Sequence, residues 1–127
     1  MAELPELLTR VNKAKDPANM TDLEKKHVPV IEAPDSVTAG EPFEVTVHVG
    51  KLLKHPNEPG HHIESVDLYK GYVLLARAAL AGATTEPKVT FTVMLEPDVA
   101  AGDGVLRAFE KCNLHGVWEN TKAITVG

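Results

Sequence analysis

A single cysteine, Cys112, in 127 residues excludes an intrachain disulfide. It also excludes any metal site within the chain built from cysteine alone, such as a four-cysteine zinc site or iron–sulfur cluster. No apolar run approaches the length of a membrane span. The N-terminus, MAELPELLTR, has acidic residues and a proline where a signal peptide has basic residues and then an apolar stretch, so a cytoplasmic location is expected. Positive charge is in deficit too: 13 Lys and Arg against 18 Asp and Glu give a net charge of −5. The cations are scattered rather than striped, which argues against nucleic acid as a partner. Internal repeats and low-complexity tracts are missing as well. What remains is an ordinary globular composition, 43% hydrophobic and 24% charged, on a chain long enough for one domain with a real core.

Hydrophobic alternation supplies the fold class. In FEVTVHVG (43–50), Phe43, Val45, Val47 and Val49 share one face, and Glu44, Thr46 and His48 share the other. PKVTFTVMLEP (87–97) repeats the pattern with Val89, Phe91, Val93 and Leu95. Further strands are expected at 28–33, 62–69, 72–80, 104–111 and 117–126, although YVLLARAAL (72–80) is also compatible with a helix. Turn clusters such as APDSVTAGEP, HPNEPG, AGATTEP and EPDVAAGDG separate them. Residues 1–26 carry a short helical pattern (Leu4, Leu7, Leu8, Val11) and then a polar approach that ends in the charged turn TDLEKK. About seven short strands predict an all-β fold, an immunoglobulin-like antiparallel sandwich, with a closed barrel as the competing architecture. The expected division is an N-terminal extension with an active-site loop (1–26) and a β domain (27–127).

Two clusters could carry chemistry. In HPNEPGHH (55–62), the prolines and Gly60 force a rigid loop on which His55 and His61 can converge on one ion. His61 and His62 are adjacent at a strand start and should point to opposite sides, so at most one is a ligand of that centre. In CNLHG (112–116), a Cys-x-x-His turn can place a thiolate and an imidazole on one metal while Gly116 lets the chain bend away. Taken alone, either cluster has a plainer explanation, a histidine-rich turn or a buried apolar cysteine beside a surface histidine. Their coincidence with His27 favours the metal. His27, His55, His61, His115 and Cys112 make a five-ligand set, one more than the closed tetrahedron of structural zinc and free of the oxygens that magnesium and calcium want. Four nitrogens and one sulfur suit iron with one octahedral position open. A thiolate opposite that position would push electron density toward whatever binds there. His48, on the polar face of its strand, is left out.

Three stretches in this order and spacing resemble the superoxide reductases, meaning neelaredoxin and the iron domain of desulfoferrodoxin: KHVPVIE (26–32), HPNEPGHHI (55–63) with Leu68-Tyr69, and CNLHGVWEN (112–120). The resemblance implies an immunoglobulin-like fold and one iron per chain, bound by four equatorial histidines (His27, His55, His61, His115) and axial Cys112. It implies one-electron reduction of superoxide to hydrogen peroxide, with Lys26 as the cation facing superoxide and a rubredoxin-like protein as electron donor. It also implies the one-iron class, often homotetrameric. The likeness breaks at one position. The family motif has glutamate two residues before its first histidine, where it can bind ferric iron as sixth ligand; here that residue is Lys25, and the nearest glutamate is Glu24. Glu24 is thus a candidate sixth ferric ligand, displaced by one residue. The rival readings are dismutation of superoxide at the same iron, a cupredoxin-like electron carrier, and a non-catalytic adhesion domain. The copper reading lacks a methionine after His115.

Overall fold

A computed structural model describes residues 4–97 and 104–127. The chain begins with α1 (Leu4–Leu7), β1 (Val11–Asn12) and α2 (Asp22–His27). Strands β2 (Pro29–Glu32), β3 (Ser36–Val37), β4 (Phe43–Val49), β5 (Ile63–Lys70) and β6 (Val73–Ala79) follow. Strands β7 (Lys88–Val93), β8 (Val105–Cys112), β9 (Gly116–Ala123) and β10 (Thr125–Val126) complete the chain. They form a five-stranded sheet in the order β1-β9-β8-β5-β6, a three-stranded sheet β2-β4-β7, and the short parallel pair β10-β3.

The core follows from the period-2 alternation. Val45, Val47 and Val49 from β4 meet Val66 and Leu68 from β5 and Leu106 and Ala108 from β8, all essentially without solvent contact. Each such aliphatic side chain contributes roughly 1.5–3 kcal/mol on burial, and this shared interior holds the two sheets together. A second small cluster, Leu7, Val28 and Trp118, ties α1 and the α2–β2 junction to β9.

The seven expected strands are all present, β2 and β4 to β9, and 72–80 is a strand rather than a helix. The sheets do not close into a barrel, so of the two architectures only the sandwich stands. The two-residue strands β1 and β3 escape the alternation rule because two residues have no period to show, and the expected strand 117–126 is divided into β9 and β10. Through β1, paired in parallel with β9, the N-terminal extension joins the larger sheet. Val11, grouped above with a helical pattern, lies in that strand. The charged turn TDLEKK is in fact helix α2, started by a reciprocal capping box: Thr21 Oγ1 accepts from the Glu24 N–H, and the Glu24 carboxylate accepts from the Thr21 N–H. Of the expected turn EPDVAAGDG, residues 98–103 lie outside the described residues.

Candidate metal centre

Antiparallel register brings three chain segments to one end of the sandwich. Pro29, at the start of β2, pairs with Val49 at the end of β4. Ile63, at the start of β5, pairs with Cys112 at the end of β8, which in turn pairs with Gly116 at the start of β9. The α2–β2 junction, the β4–β5 loop and the β8–β9 turn therefore emerge together, and each carries part of the histidine and cysteine set.

His27 is the last residue of α2, and Pro29 just beyond it cannot continue the helix. Its Nδ1–H donates to the Leu23 carbonyl one turn back at 2.7 Å, which leaves Nε2 unprotonated and facing inward. His55 repeats the device: its Nδ1–H donates to the Pro56 carbonyl at 2.6 Å and its Nε2 faces the same space. Gly50, at φ +85, lets the chain turn close to His55; a Cβ there would stand 2.7 Å from the His55 nitrogen. His61 sits opposite Glu58 in a tight reversal closed by two backbone hydrogen bonds of 2.9 and 3.1 Å. The neighbouring His62 turns the other way and donates from Nδ1 to the Glu58 carbonyl. Gly116, at φ +81, reverses the chain after His115, and a Cβ there would meet the Leu7 carbonyl oxygen at 2.5 Å.

The result is one donor cluster. Nε2 of His27 lies 3.2 Å from Nε2 of His55 and 3.2 Å from Nδ1 of His115, which is 3.3 Å from Nε2 of His61. Cys112 Sγ is 3.4 Å from His55 and 3.6 Å from His115. All five donor atoms lie within 4.8 Å of one another, close enough to bind one metal ion. The imidazoles form a closed circuit, His27–His55–His61–His115, with successive ring centroids 4.7 to 5.0 Å apart and rings edge to face.

Burial keeps these groups neutral. It lowers His27 to about 3 and His55 to about 4, and pulls His61 and His115 below the usual histidine range. The Lys26 ammonium adds to the lowering at His55, His61 and His115. Burial pushes the Cys112 thiol up, and the backbone N–H groups of Leu114 and His115, which donate to the sulfur, oppose that rise. The facing nitrogens of the imidazoles lie about 3 Å apart, within hydrogen-bond reach where one ring carries the proton, and a cation between them would be ligated by their unprotonated forms. The donor set, four nitrogens and one sulfur without a carboxylate, fits a transition metal such as iron and not a hard, oxygen-seeking ion.

Lys26 is half-buried beside this cluster, and its charge acts on three of the imidazoles. Glu24 shares the buried face of α2 with His27, but its carboxylate is engaged at the other end of the helix, accepting from the backbone N–H groups of Thr21 (2.9 Å) and Lys15 (3.2 Å). His48 pairs across β4 and β7 with Lys88 and is not part of the cluster.

Two residues at the site escaped the sequence reading. Trp118 stacks on His27 at 5.1 Å and donates from Nε1 to the His115 carbonyl. Glu110, 1% exposed, lies on the inward face of β8 with Cys112, and among the described residues neither carboxylate oxygen has a hydrogen-bond partner. Burial raises its carboxyl well above the ordinary range. Counting back by two from a buried Cys112 would have placed Glu110 inside.

An open all-β sandwich with four histidines and one cysteine gathered at one end defines a class, proteins whose mixed imidazole and thiol donors lie close enough to bind one metal ion. Residues 19–121 match the family model described as desulfoferrodoxin, and the chain belongs to that family, in its one-iron superoxide reductase branch. A relative from Methanocaldococcus jannaschii is 42% identical over 104 residues, covering 82% of this chain and 86% of its own. The superoxide reductase of Pyrococcus abyssi is 37% identical over 105 residues, 76% of this chain and 84% of the relative. The solved structure of the Ignicoccus hospitalis superoxide reductase (neelaredoxin) superposes with a TM-score of 0.75 at 39% identity, covering 99% of this chain and 100% of that one.

Proposed function

We propose that this chain is a superoxide reductase, reducing superoxide to hydrogen peroxide at one iron held by His27, His55, His61, His115 and Cys112. The observation that carries the reading is the convergence of these five donor atoms within 4.8 Å of one another, in a chain that belongs to the desulfoferrodoxin family. When bound, iron supplies the single electron that converts superoxide, with two protons, into hydrogen peroxide. The protein's part is to build and tune the cage. The Leu23 and Pro56 carbonyls lock the His27 and His55 rings in the tautomer that presents Nε2. The N–H groups of Leu114 and His115 favour the thiolate form of Cys112. Lys26 holds a positive charge beside the cluster, which attracts the superoxide anion and stabilises the more highly charged product.

Glu24, engaged in capping α2 and holding the Lys15 backbone, stays out of the ligand set in this reading. The Glu24→Ala variant tests this: an unchanged ferric spectrum with a less stable α2 is expected, and an altered ferric spectrum would restore Glu24 as sixth ligand. The electron donor is a rubredoxin-like carrier, the assembly a homotetramer and the working location the cytoplasm. The experiment that tests the activity is anaerobic reaction of the protein loaded with ferrous iron with less than one equivalent of superoxide, with peroxide and oxygen both measured. One peroxide per superoxide without oxygen is expected. Oxygen in equal yield with peroxide would make the protein a dismutase, and copper rather than iron in the purified protein would make it an electron carrier.

A further inference from the structure

His27 and His55 are each oriented by a hydrogen bond from their own ring to a nearby carbonyl. His61 has no such bond on its Nδ1 among the described residues, and it is only half-buried. Beyond its edge-to-face contacts with the neighbouring His55 and His115 rings, its orientation comes from the backbone that carries it. That backbone is gripped on both sides of His61 by one residue, Asn113. The Asn113 side chain donates from Nδ2 to the Gly60 carbonyl at 2.9 Å and accepts at Oδ1 from the His62 N–H at 2.9 Å. Its main-chain N–H donates to the His62 carbonyl at 3.2 Å.

The reason for this arrangement lies in the strand ladder. The β5–β8 pairing ends at Ile63 and Cys112, because the chain beyond Cys112 turns toward His115 and can offer no further regular partner. An asparagine amide carries one acceptor and a donor in the pattern of a peptide group. Placed directly after Cys112, it extends the ladder one step past the last paired residue and reaches across the position of His61.

We propose that Asn113 is a positioning residue for the metal: it fixes His61 relative to Cys112 and His115, so that the β4–β5 loop and the β8–β9 turn present their ligands as one rigid set. The proposal rests on the reading of the cluster as an iron site. Asn57 supplies the internal contrast. It grips the same loop with similar chemistry, accepting from the Ala83 N–H at 2.8 Å and donating to the Thr85 carbonyl at 3.2 Å. Its partners lie in the β6–β7 connection, which carries no ligand. Loss of Asn57 loosens the loop, whereas loss of Asn113 uncouples two ligand-bearing segments from each other.

The test compares the full chain with Asn113→Ala, Asn113→Asp and Asn57→Ala. Ferrous iron affinity is read by anaerobic chelator competition, the thiolate-to-ferric-iron charge-transfer band by absorption, and the thermal midpoint without metal. Asn113→Ala should weaken iron binding about 10- to 100-fold, the effect typical of removing a group that orients a ligand, and should shift the band. Asn113→Asp keeps the acceptor for His62 but loses the donor to Gly60, so it should fall between Asn113→Ala and the native chain. Asn57→Ala should lower the thermal midpoint while leaving the band in its native position. Native affinity and an unshifted band in both Asn113 variants would overturn the proposal, as would an Asn57→Ala loss of affinity equal to that of Asn113→Ala. Failure of the native chain itself to take up iron would bring down the iron-site reading and the proposal together.

Discussion

Strand β8 passes from one kind of interior to another within four pleats. Leu106 and Ala108, fully buried, face aliphatic side chains of the opposite sheet. Cys112, equally buried on the same face, meets imidazole nitrogens at 3.4 and 3.6 Å instead. Between them stands Glu110, buried like its neighbours but with no partner for its carboxylate among the described residues. The aliphatic region is satisfied by exclusion of water alone. The ligand end instead gathers polar donor atoms, and hydrogen bonds to the Leu23 and Pro56 carbonyls aim two of its imidazoles. One region stabilises the fold by burial, and the other brings five donor atoms close enough to bind one metal ion.

The comparison breaks most sharply at Cys112. Cys112→Ser, close in volume, should abolish stoichiometric iron binding and the thiolate charge-transfer band, while circular dichroism of the metal-free protein stays native. Loss of the fold along with the metal would mean that the two regions are not separable. Leu68→Ala addresses the other region. It should lower stability by about 2–5 kcal/mol in denaturant unfolding through lost burial and a residual cavity, yet leave the iron stoichiometry at one. Lys26→Met should reduce the second-order rate with superoxide about 10- to 100-fold, with weaker dependence on salt and an unchanged thermal midpoint. An unchanged rate would deny Lys26 its electrostatic role.

Glu110 tests the boundary. Removing a buried, unpartnered polar group relieves a penalty of about 1–3 kcal/mol, so Glu110→Met should stabilise the metal-free chain by an amount in that range. Destabilisation would reveal a satisfied role for the carboxyl. The smallest effect is expected on the surface. The exposed Glu32 carboxylate, hydrogen-bonded to Lys51, is held below its ordinary value of 4.5. A folded-state value below the unfolded one gives stability that is present above pH 4.5 and lost as pH falls through the folded value. Glu32→Gln should thus lower the thermal midpoint slightly at pH 7, by a margin that shrinks as pH falls below 4.5 through the folded value. A difference that does not shrink on acidification would assign the effect to packing.

Much of this architecture was legible in one dimension. The alternating apolar positions of β4 and β7 marked the core face because a strand sends successive side chains to opposite sides. The five candidate ligands were legible because few residue types bind a transition metal, and those types fell in or beside stretches punctuated by proline and glycine. Helix α2 reads as a turn in the sequence, although its T-x-x-E capping box is in plain view, because six mostly charged and polar residues carry no apolar period. Glu110 and Trp118 were missed for another reason: their importance comes from what lies across the space they face.

The sequence by itself determined the all-β class, the strand positions, the five candidate ligands and the likeness to superoxide reductases. Each depends on local periodicity or on the chemistry of single side chains. Only the tertiary structure decided the open sandwich over the barrel, the capping role of Glu24, the circuit of four imidazoles and the grip of Asn113 on the His61 loop. Those depend on which segments meet in space. Here a register pairing Ile63 with Cys112, and Cys112 with Gly116, brings together residues that lie far apart along the chain.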